Sequence, residues 1–326
     1  MLNYLVRRFL YMVPILVGVN LLTFVLFFFV HTPDSMARSV LGDRYADPAA
    51  IEAWKREHGY DLPRLWNAQA RGLGRVTRTI FWQKCMPLLW LDFGRSDFDQ
   101  HSIGEAIRTR MGPSLHVTVP MFLLSFGVTT VTALWVAYRR GGITDRVVLV
   151  LCVAFMSVSP LFYIIGGQYL FARVFRWCPF SGYAPGLDGW RFVVLPVAIG
   201  VLAGFGQQVR FNRTVMLEET QKDYVRTARA KGVSEPVVLL RHILRNALIP
   251  ILTSVVVTIP FLIMGNLLLE NFFGIPGLGS YVLDAIQRQD FAVVRAVVYL
   301  GTLLYMAGLL MVDLAYTWAD PRVRLG

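Results

Sequence analysis

The sequence predicts an all-α polytopic membrane protein with six transmembrane helices and a long insertion between the first two. Three observations lead there. Of 326 residues, 55% are hydrophobic and only 16% charged, whereas a soluble chain uses roughly 25% charged residues to coat itself. Mean hydropathy is +0.51. Six stretches, residues 9–30, 114–138, 147–172, 192–209, 247–269 and 296–319, carry no Asp, Glu, Lys or Arg apart from Asp313 in the last. Each approaches the ~20 apolar residues with which a helix crosses the hydrocarbon layer, its backbone amides satisfied within the segment. An ordinary soluble enzyme is excluded.

The first stretch follows Arg7 and Arg8, as a signal peptide would. Its 22 residues exceed a typical apolar core of about 7–15, and no A-x-A site follows. It is expected to be a retained anchor, residues 1–30. Orientation follows from the short loops, where Lys and Arg favour the cytosol. With the N-terminus inside, the inner segments hold fifteen basic residues, eight of them between Arg210 and Asn246. The short outer segments hold four: Arg173, Arg176, Arg191 and Arg288. Both termini are expected in the cytosol. The net charge of +11 therefore follows membrane topology, and nucleic acid is not an expected partner; membrane lipid is.

Residues 31–113 then form an extracytoplasmic subdomain, near neutral with twelve basic and ten acidic residues. Asp47 and Pro48 open a capped helix through His58, since Asp satisfies free amides and Pro suits the first turn. Phe81, Trp82, Met86, Leu88, Leu89 and Trp90 are apolar enough to place part of it at the membrane interface, where Trp is favoured. Cys85, Cys152 and Cys178 show no CxxC spacing, and a Cys85–Cys178 bridge is open only if both face an oxidising compartment. The five histidines lack paired-ligand spacing, so no metal or cofactor site is expected.

The permease core is expected over residues 114–319, interrupted by a cytosolic loop at 210–246, with a cytosolic tail at 320–326. Within that loop, Asp223 to Lys231 favour a short helix, which Gly232 ends in the left-handed conformation. Ser234 and Pro236 open a second helix, with Val237, Leu240, Leu244 and Leu248 spaced for one face. By charge patterning alone, such a basic pair reads equally well as a solvated or headgroup-facing surface.

The run Arg226-Thr227-Ala228-Arg229-Ala230-Lys231-Gly232, with Pro250 after it, resembles the cytosolic motif of ABC importer permeases of the oligopeptide and dipeptide branch, B-type subunit. The general motif begins Glu-Ala-Ala, whereas Arg226-Thr227-Ala228 stands here, so no acidic role carries over. Three further stretches resemble the same branch: Tyr4 to Phe9; Asp92-Phe93-Gly94-Arg95-Ser96 with Arg110 to Leu115; and Phe273 to Gly279 with Asp320 to Arg324. One departure is His31-Thr32-Pro33-Asp34-Ser35, where relatives often have a Pro-Gly-rich turn.

The resemblance implies the type I permease fold, half of the pore of an importer for peptides or similar solutes. It also implies a second homologous permease, two ABC ATPase subunits and an extracytoplasmic solute-binding protein. Coupling to the ATPase would rest on Asp223, Tyr224, Ala228, Arg229, Gly232 and Pro250. Closure of the motors would swing the attached spans between inward-open and outward-open states.

No phosphate-cradling GxxxxGK[ST] is present, so energy is expected from another subunit or an ion gradient. Asp92-Phe93-Gly94 lacks the other kinase motifs, and the glycines from Gly274 to Gly279 follow an apolar helix rather than a strand. They suit a tight turn or short re-entrant piece. Polar residues within the spans must turn toward protein or water. Of these, Gln207, Gln208, Thr258, Asn266 and Asp313 are candidates for the translocation path, with helix-to-helix hydrogen bonding the simpler reading for any one. Asn20, Thr23, Gln168 and Thr253 belong to the same class, and Gly200 with Gly204 suits close helix packing.

Two rivals remain. An ion-gradient-driven secondary transporter predicts inverted repeats and ionisable residues at mid-membrane; the spans have almost none. An intramembrane enzyme needs a catalytic constellation at membrane depth, and none is visible.

Overall fold

The computed structural model describes residues 2–42 and 47–319. They form helices joined by turns and a few longer irregular segments, with one isolated bridge between Arg95 and Ser102. The C-terminal tail expected at 320–326 lies outside the described residues.

Helix α1 (Leu2–Val25) continues through a π-helical turn, Leu26–Val30. The insertion then builds α2 (Pro33–Leu41), α3 (Pro48–His58), α4 (Gly74–Thr77) and α5 (Ile80–Cys85). Long α6 (Ile103–Tyr138) leads to α7 (Ile143–Ser157) and α8 (Pro160–Gly167). Next come α9 (Trp190–Thr220), α10 (Asp223–Ala230), α11 (Glu235–Val237) and α12 (Arg245–Val256). The chain finishes with α13 (Leu267–Phe273), α14 (Leu278–Gln287) and α15 (Phe291–Ala319).

Among the described residues, five helical stretches are long and apolar enough to cross a membrane: Leu10–Val30, Ile103–Tyr138, Trp190–Thr220, Glu235–Val256 and Phe291–Leu314. Two bent pairs raise the number to seven if each is one span: Ile143–Ser157 with Pro160–Val174, bent 89°, and Ile259–Phe273 with Leu278–Gln287, bent 69°.

The third and fifth expected spans therefore differ from a straight helix. The stretch expected at 147–172 breaks at Ser159, whose ψ of 139° is extended, because Pro160 excludes the residue before it from the helical region. The stretch expected at 247–269 ends at Val256. Pro260 supplies no amide to continue the ladder, and Gly265 sits at φ +73°. The helix that ends there begins far upstream, at Glu235.

That helix also corrects the expected apolar face. Val237 and Leu240 are exposed, while Val238, Leu239, Ile243, Ala247 and Ile251 are buried. The buried positions lie one residue ahead of the expected ones from Leu239 onward, and the π-helical turn Val238–Leu244 carries their spacing of four.

The chain divides into two compact units, one within residues 1–110 and 281–310, the other within 111–280 and 311–324. In the first, the insertion is packed onto α1. Phe24, Phe27 and Phe28 share one core with Met36, Ala37, Ile51, Trp54, Tyr60, Ile80 and Cys85. Phe24 meets Phe81 edge-on at 5.1 Å. Burying each such aromatic contributes about 1.5–3 kcal/mol, which a short insertion with few strands or long helices could not gather alone. Thr32 caps α2, with Pro33 in its first turn, so the sequence departure after the first span is a helix start. Asp47 accepts the Ala49 amide at 2.8 Å, and Gly59 ends α3 at φ +68°. Trp82 and Trp90 are exposed, and Leu88 is buried.

In the second unit, one core joins Ala133 and Ala137 of α6, Met216 of α9, Val225 and Ala228 of α10, and Ile243, Ala247 and Ile251. A second joins Val117, Ile164, Leu195, Ile199, Leu269 and Phe273. A Cβ at Gly200 would collide with Met121 Sδ, whereas one at Gly204 would meet nothing. The tight helix approach instead involves Gly206, where a Cβ would strike the Cys152 carbonyl. All three cysteines are free thiols.

Candidate functional site

Helix α10 presents a surface on an anchored base. Val225 is fully buried and Ala228 nearly so, while the other six residues of the helix are exposed. The turn after it is closed by Gly232 N–H donating to Arg229 O at 2.9 Å and Val233 N–H donating to Ala228 O at 3.2 Å. This closure requires Gly232 at φ +77°, where a side chain is penalised by the backbone itself. An added Cβ would touch nothing within 4 Å, so the requirement is conformational and not steric crowding.

Two side chains brace α10 from its ends. The Tyr224 hydroxyl donates to the Glu219 carboxylate, and desolvation together with that carboxylate pushes the phenol up to about 12. Arg229 grips Glu235 with Nε at 2.7 Å and Nη2 at 3.2 Å, which fixes the angle between α10 and α11. Arg226 lies 3.7 Å from Asp223 on the exposed face. Of the expected coupling residues, Asp223, Tyr224 and Arg229 line the outer face or its ends, whereas Ala228 packs inward. Pro250 is exposed within α12.

Below α10, Arg213 of α9 makes a bidentate ion pair with Asp145 of α7, both contacts 2.9 Å. Asp145 also accepts the Gly141 amide at 2.9 Å, so the pair clamps the α6–α7 turn to α9. Sequence reading missed it. The available signal was a single acid just after Gly141 and Gly142 at the start of an apolar run.

The polar residues of the spans mostly have protein partners. Gln208 donates to Asn212 at 3.0 Å, and Asn212 in turn faces Thr129 and Thr130 at 3.4 and 3.3 Å, bridging α9 to α6. Thr258 donates to the Ser254 and Val255 carbonyls, and Asn266 caps α13 by accepting the Leu269 amide. Gln168 ties Phe180 O to Phe272 O. Asn20 donates to Cys85 O at 3.1 Å, Thr23 to Val19 O, and Thr253 to Ile249 O. Gln207 is exposed, and Asp313 is partly buried in α15.

A second feature the sequence did not disclose is Glu270, fully buried in α13. Its carboxylate accepts the amides of Asn266 at 3.2 Å and Ser280 at 3.1 Å. Ser114 Oγ accepts the Leu278 amide at 2.8 Å beside it, and Thr118 donates to Leu262 O at 2.7 Å. Gly265 and Gly277 leave room for the carboxylate that any side chain would fill. The Gly274 to Gly279 segment is thus folded back around one acid as a tight turn.

An apolar cavity of about 680 Å³ lies between His116, Pro120 and Leu124 of α6 and the stretch from Ala184 to Ala198. At its edge, His116 Nδ1 is 2.8 Å from the Tyr183 hydroxyl. The arrangement is that of a transport subunit: helices fit to cross a membrane, polar groups engaged across helices, and a braced short helix facing outward between two spans.

Comparison with known proteins agrees. Residues 129–325 match the family described as binding-protein-dependent transport system inner membrane component, and the chain belongs to that family. It is 35% identical over 320 residues to a putative peptide transport system permease protein of Brucella abortus (strain 2308), covering 96% of each chain. It is 32% identical over 331 residues to a glutathione transport system permease protein of Pectobacterium atrosepticum, covering 99% of each. It is also 31% identical to the glutathione transport permease of Salmonella typhi over 329 residues, again covering 99% of each. The chain is a multi-pass inner-membrane permease, a non-catalytic component that works with other parts of an ABC transporter.

Proposed function

We propose that this permease forms half of the pore of an ATP-driven importer for peptides or similar small solutes. The opposite half would be a second homologous permease. Two ABC ATPase subunits would dock on α10, and an extracytoplasmic solute-binding protein would deliver the solute. The carrying observation is the build of α10: Val225 and Ala228 root it in the core while its remaining residues face outward. A force applied there reaches α9 through Tyr224 and Glu219, and α11 and α12 through Arg229 and Glu235. Alternating access would follow from the two attached spans moving with α10. The names of the similar permeases support peptides as the solute class.

Six crossings suit this reading. The bent α7–α8 pair serves as the third, and the Ile259–Gln287 pair as a re-entrant piece on the outer side. That topology keeps α10 on the same side as the basic α6–α7 turn, and puts both in the cytosol with residues 31–113 outside. The test is uptake of a labelled peptide by proteoliposomes holding the assembled system. Uptake that requires ATP and ignores an uncoupler supports the proposal. Uptake that persists without ATP and stops with the uncoupler would transfer the chain to the ion-driven class. A cysteine at Lys231 should label only from the cytosolic side.

A further inference from the structure

In the first unit a polar cavity of about 120 Å³ is lined by Tyr60, Lys84, Asp92, Arg95, Asp97 and Arg295, with Pro87, Phe93 and Ala292 among its apolar walls. Arg295 is only 5% exposed. Its guanidinium stands over the Phe28 ring at 5.7 Å, and among the described residues its buried Nε has no hydrogen-bond partner. The two buried acids nearby are otherwise engaged. Asp97 accepts the Tyr60 hydroxyl on both oxygens at 2.8 Å. Asp290 accepts Ser96 Oγ at 2.5 Å and the amides of Asp97 and Val293 at 3.2 Å.

Asp97 faces Arg295 electrostatically, but among the described residues no hydrogen bond reaches the buried Arg295 Nε, and a buried donor left unmet is costly. The Arg295 guanidinium opens onto a cavity with a second cation, half-buried Lys84, and a third at the rim, Arg95. Against these stand Asp92 and Asp97, so the lining carries three positive and two negative groups. With Asp290 beside them the cluster is close to neutral, so what the lining offers a ligand is the Arg295 guanidinium and the Lys84 ammonium. A planar guanidinium fork matches a carboxylate in two parallel hydrogen bonds. The volume limits the ligand to the carboxylate and a carbon or two, with Phe93, Pro87 and Ala292 available for the apolar part.

We propose that this pocket binds one carboxylate group of a small solute, held by Arg295 and Lys84. An acidic side chain of a docked protein carries the same chemistry, and the experiment separates the two.

The test is saturation-transfer NMR on the assembled transporter in nanodiscs, with acetate as probe, acetamide as its neutral twin, and ionic strength held constant with sodium chloride. Acetate should show saturable transfer to its methyl protons, and acetamide none. Arg295→Met should weaken acetate at least tenfold. Lys84→Met, at a half-exposed position and so tolerated by the fold, should weaken it severalfold, while Arg64→Met, outside the cavity, should leave it unchanged. Equal transfer to acetamide, or full acetate binding by both Arg295→Met and Lys84→Met, would overturn the site. Under the transport reading above, adding the solute-binding protein should leave acetate bound. Displacement by that protein would overturn the solute assignment and give the pocket to the protein's acidic side chain.

Discussion

Arg213 and Asp145 hold each other through two parallel bonds of 2.9 Å, joining helices α9 and α7 where α9 runs out toward α10. The Asp145 side chain is 6% exposed and that of Arg213 17%. The pair thus ties the stretch of α9 that leads to α10 onto α7.

Breaking the pair should loosen this stretch. Arg213→Met leaves Asp145 buried with only the Gly141 amide, and is expected to cost about 3 kcal/mol, the lower part of the range for an unmatched buried ion. Asp145→Asn should cost somewhat less, since the amide oxygen can still accept Gly141 N–H and Arg213 Nη2 and the more exposed Arg213 can turn its Nε away from the new NH2 toward water. Thermal unfolding of the purified transporter checks the order, and a double variant should cost less than the sum of the singles.

Gly232 should tolerate substitution by backbone preference, not by size. Gly232→Val is expected to cost about 1–2 kcal/mol from the left-handed conformation and to uncouple ATP hydrolysis from uptake. Gly232→Asn should retain most coupling, because Asn adopts that conformation readily and its side chain enters open space. ATPase and uptake rates measured on the same proteoliposomes decide it. Equal loss in both variants would mean that the surface, not the turn, matters.

Glu270 should prove irreplaceable by its own amide. Glu270→Gln keeps the shape but turns one oxygen into a donor facing the amide of Asn266 or Ser280, at about 1–3 kcal/mol for the unmet group. Hydrogen exchange at Ser280 and Leu278 should rise in the variant, with α10 unaffected. Unchanged exchange at Ser280 would show that the turn holds without the acid.

Asp97 predicts a pH dependence in the insertion. Burial raises its carboxyl above the usual range, with Asp290 adding to the rise and Tyr60, Arg295 and Lys84 opposing it. A raised value means that the folded insertion binds the proton more tightly than the unfolded chain. This contribution to stability is fully present below the unfolded value of about 3.9, and is lost as pH rises through the folded value. Amide protection around Tyr60 and Asp97, corrected for intrinsic exchange, should therefore be greater near pH ~4 than near neutrality. Asp97→Asn should flatten that difference.

Local features of the chain are largely legible in its sequence. The Asp47 cap, the Gly232 turn and the short α10 are each encoded within a few residues, by a side-chain cap or a left-handed glycine. The face of the helix after Ser234 differs from the expected one by a single residue, because apolar residues at 237 to 240 stand side by side and only packing against α6 and α9 selects among them. Glu270 escaped notice for a different reason. An acid beyond an apolar stretch looks like a solvated loop residue until the amides of Ser280 and Asn266 are seen to converge on it.

From sequence alone came membrane residence, the resemblance to the permease family and the position of the outward-facing helix, because hydrophobic length, charge placement and turn chemistry are properties of contiguous residues. Only the tertiary structure decided where two expected spans bend, which face of the Glu235–Val256 helix is buried, and which charges meet. Arg213 finds Asp145 across 68 residues, and Arg295 lies beside Lys84 and Asp97 across about 200. Such partnerships depend on how distant helices pack, and pairwise distance is not written in the order of the chain.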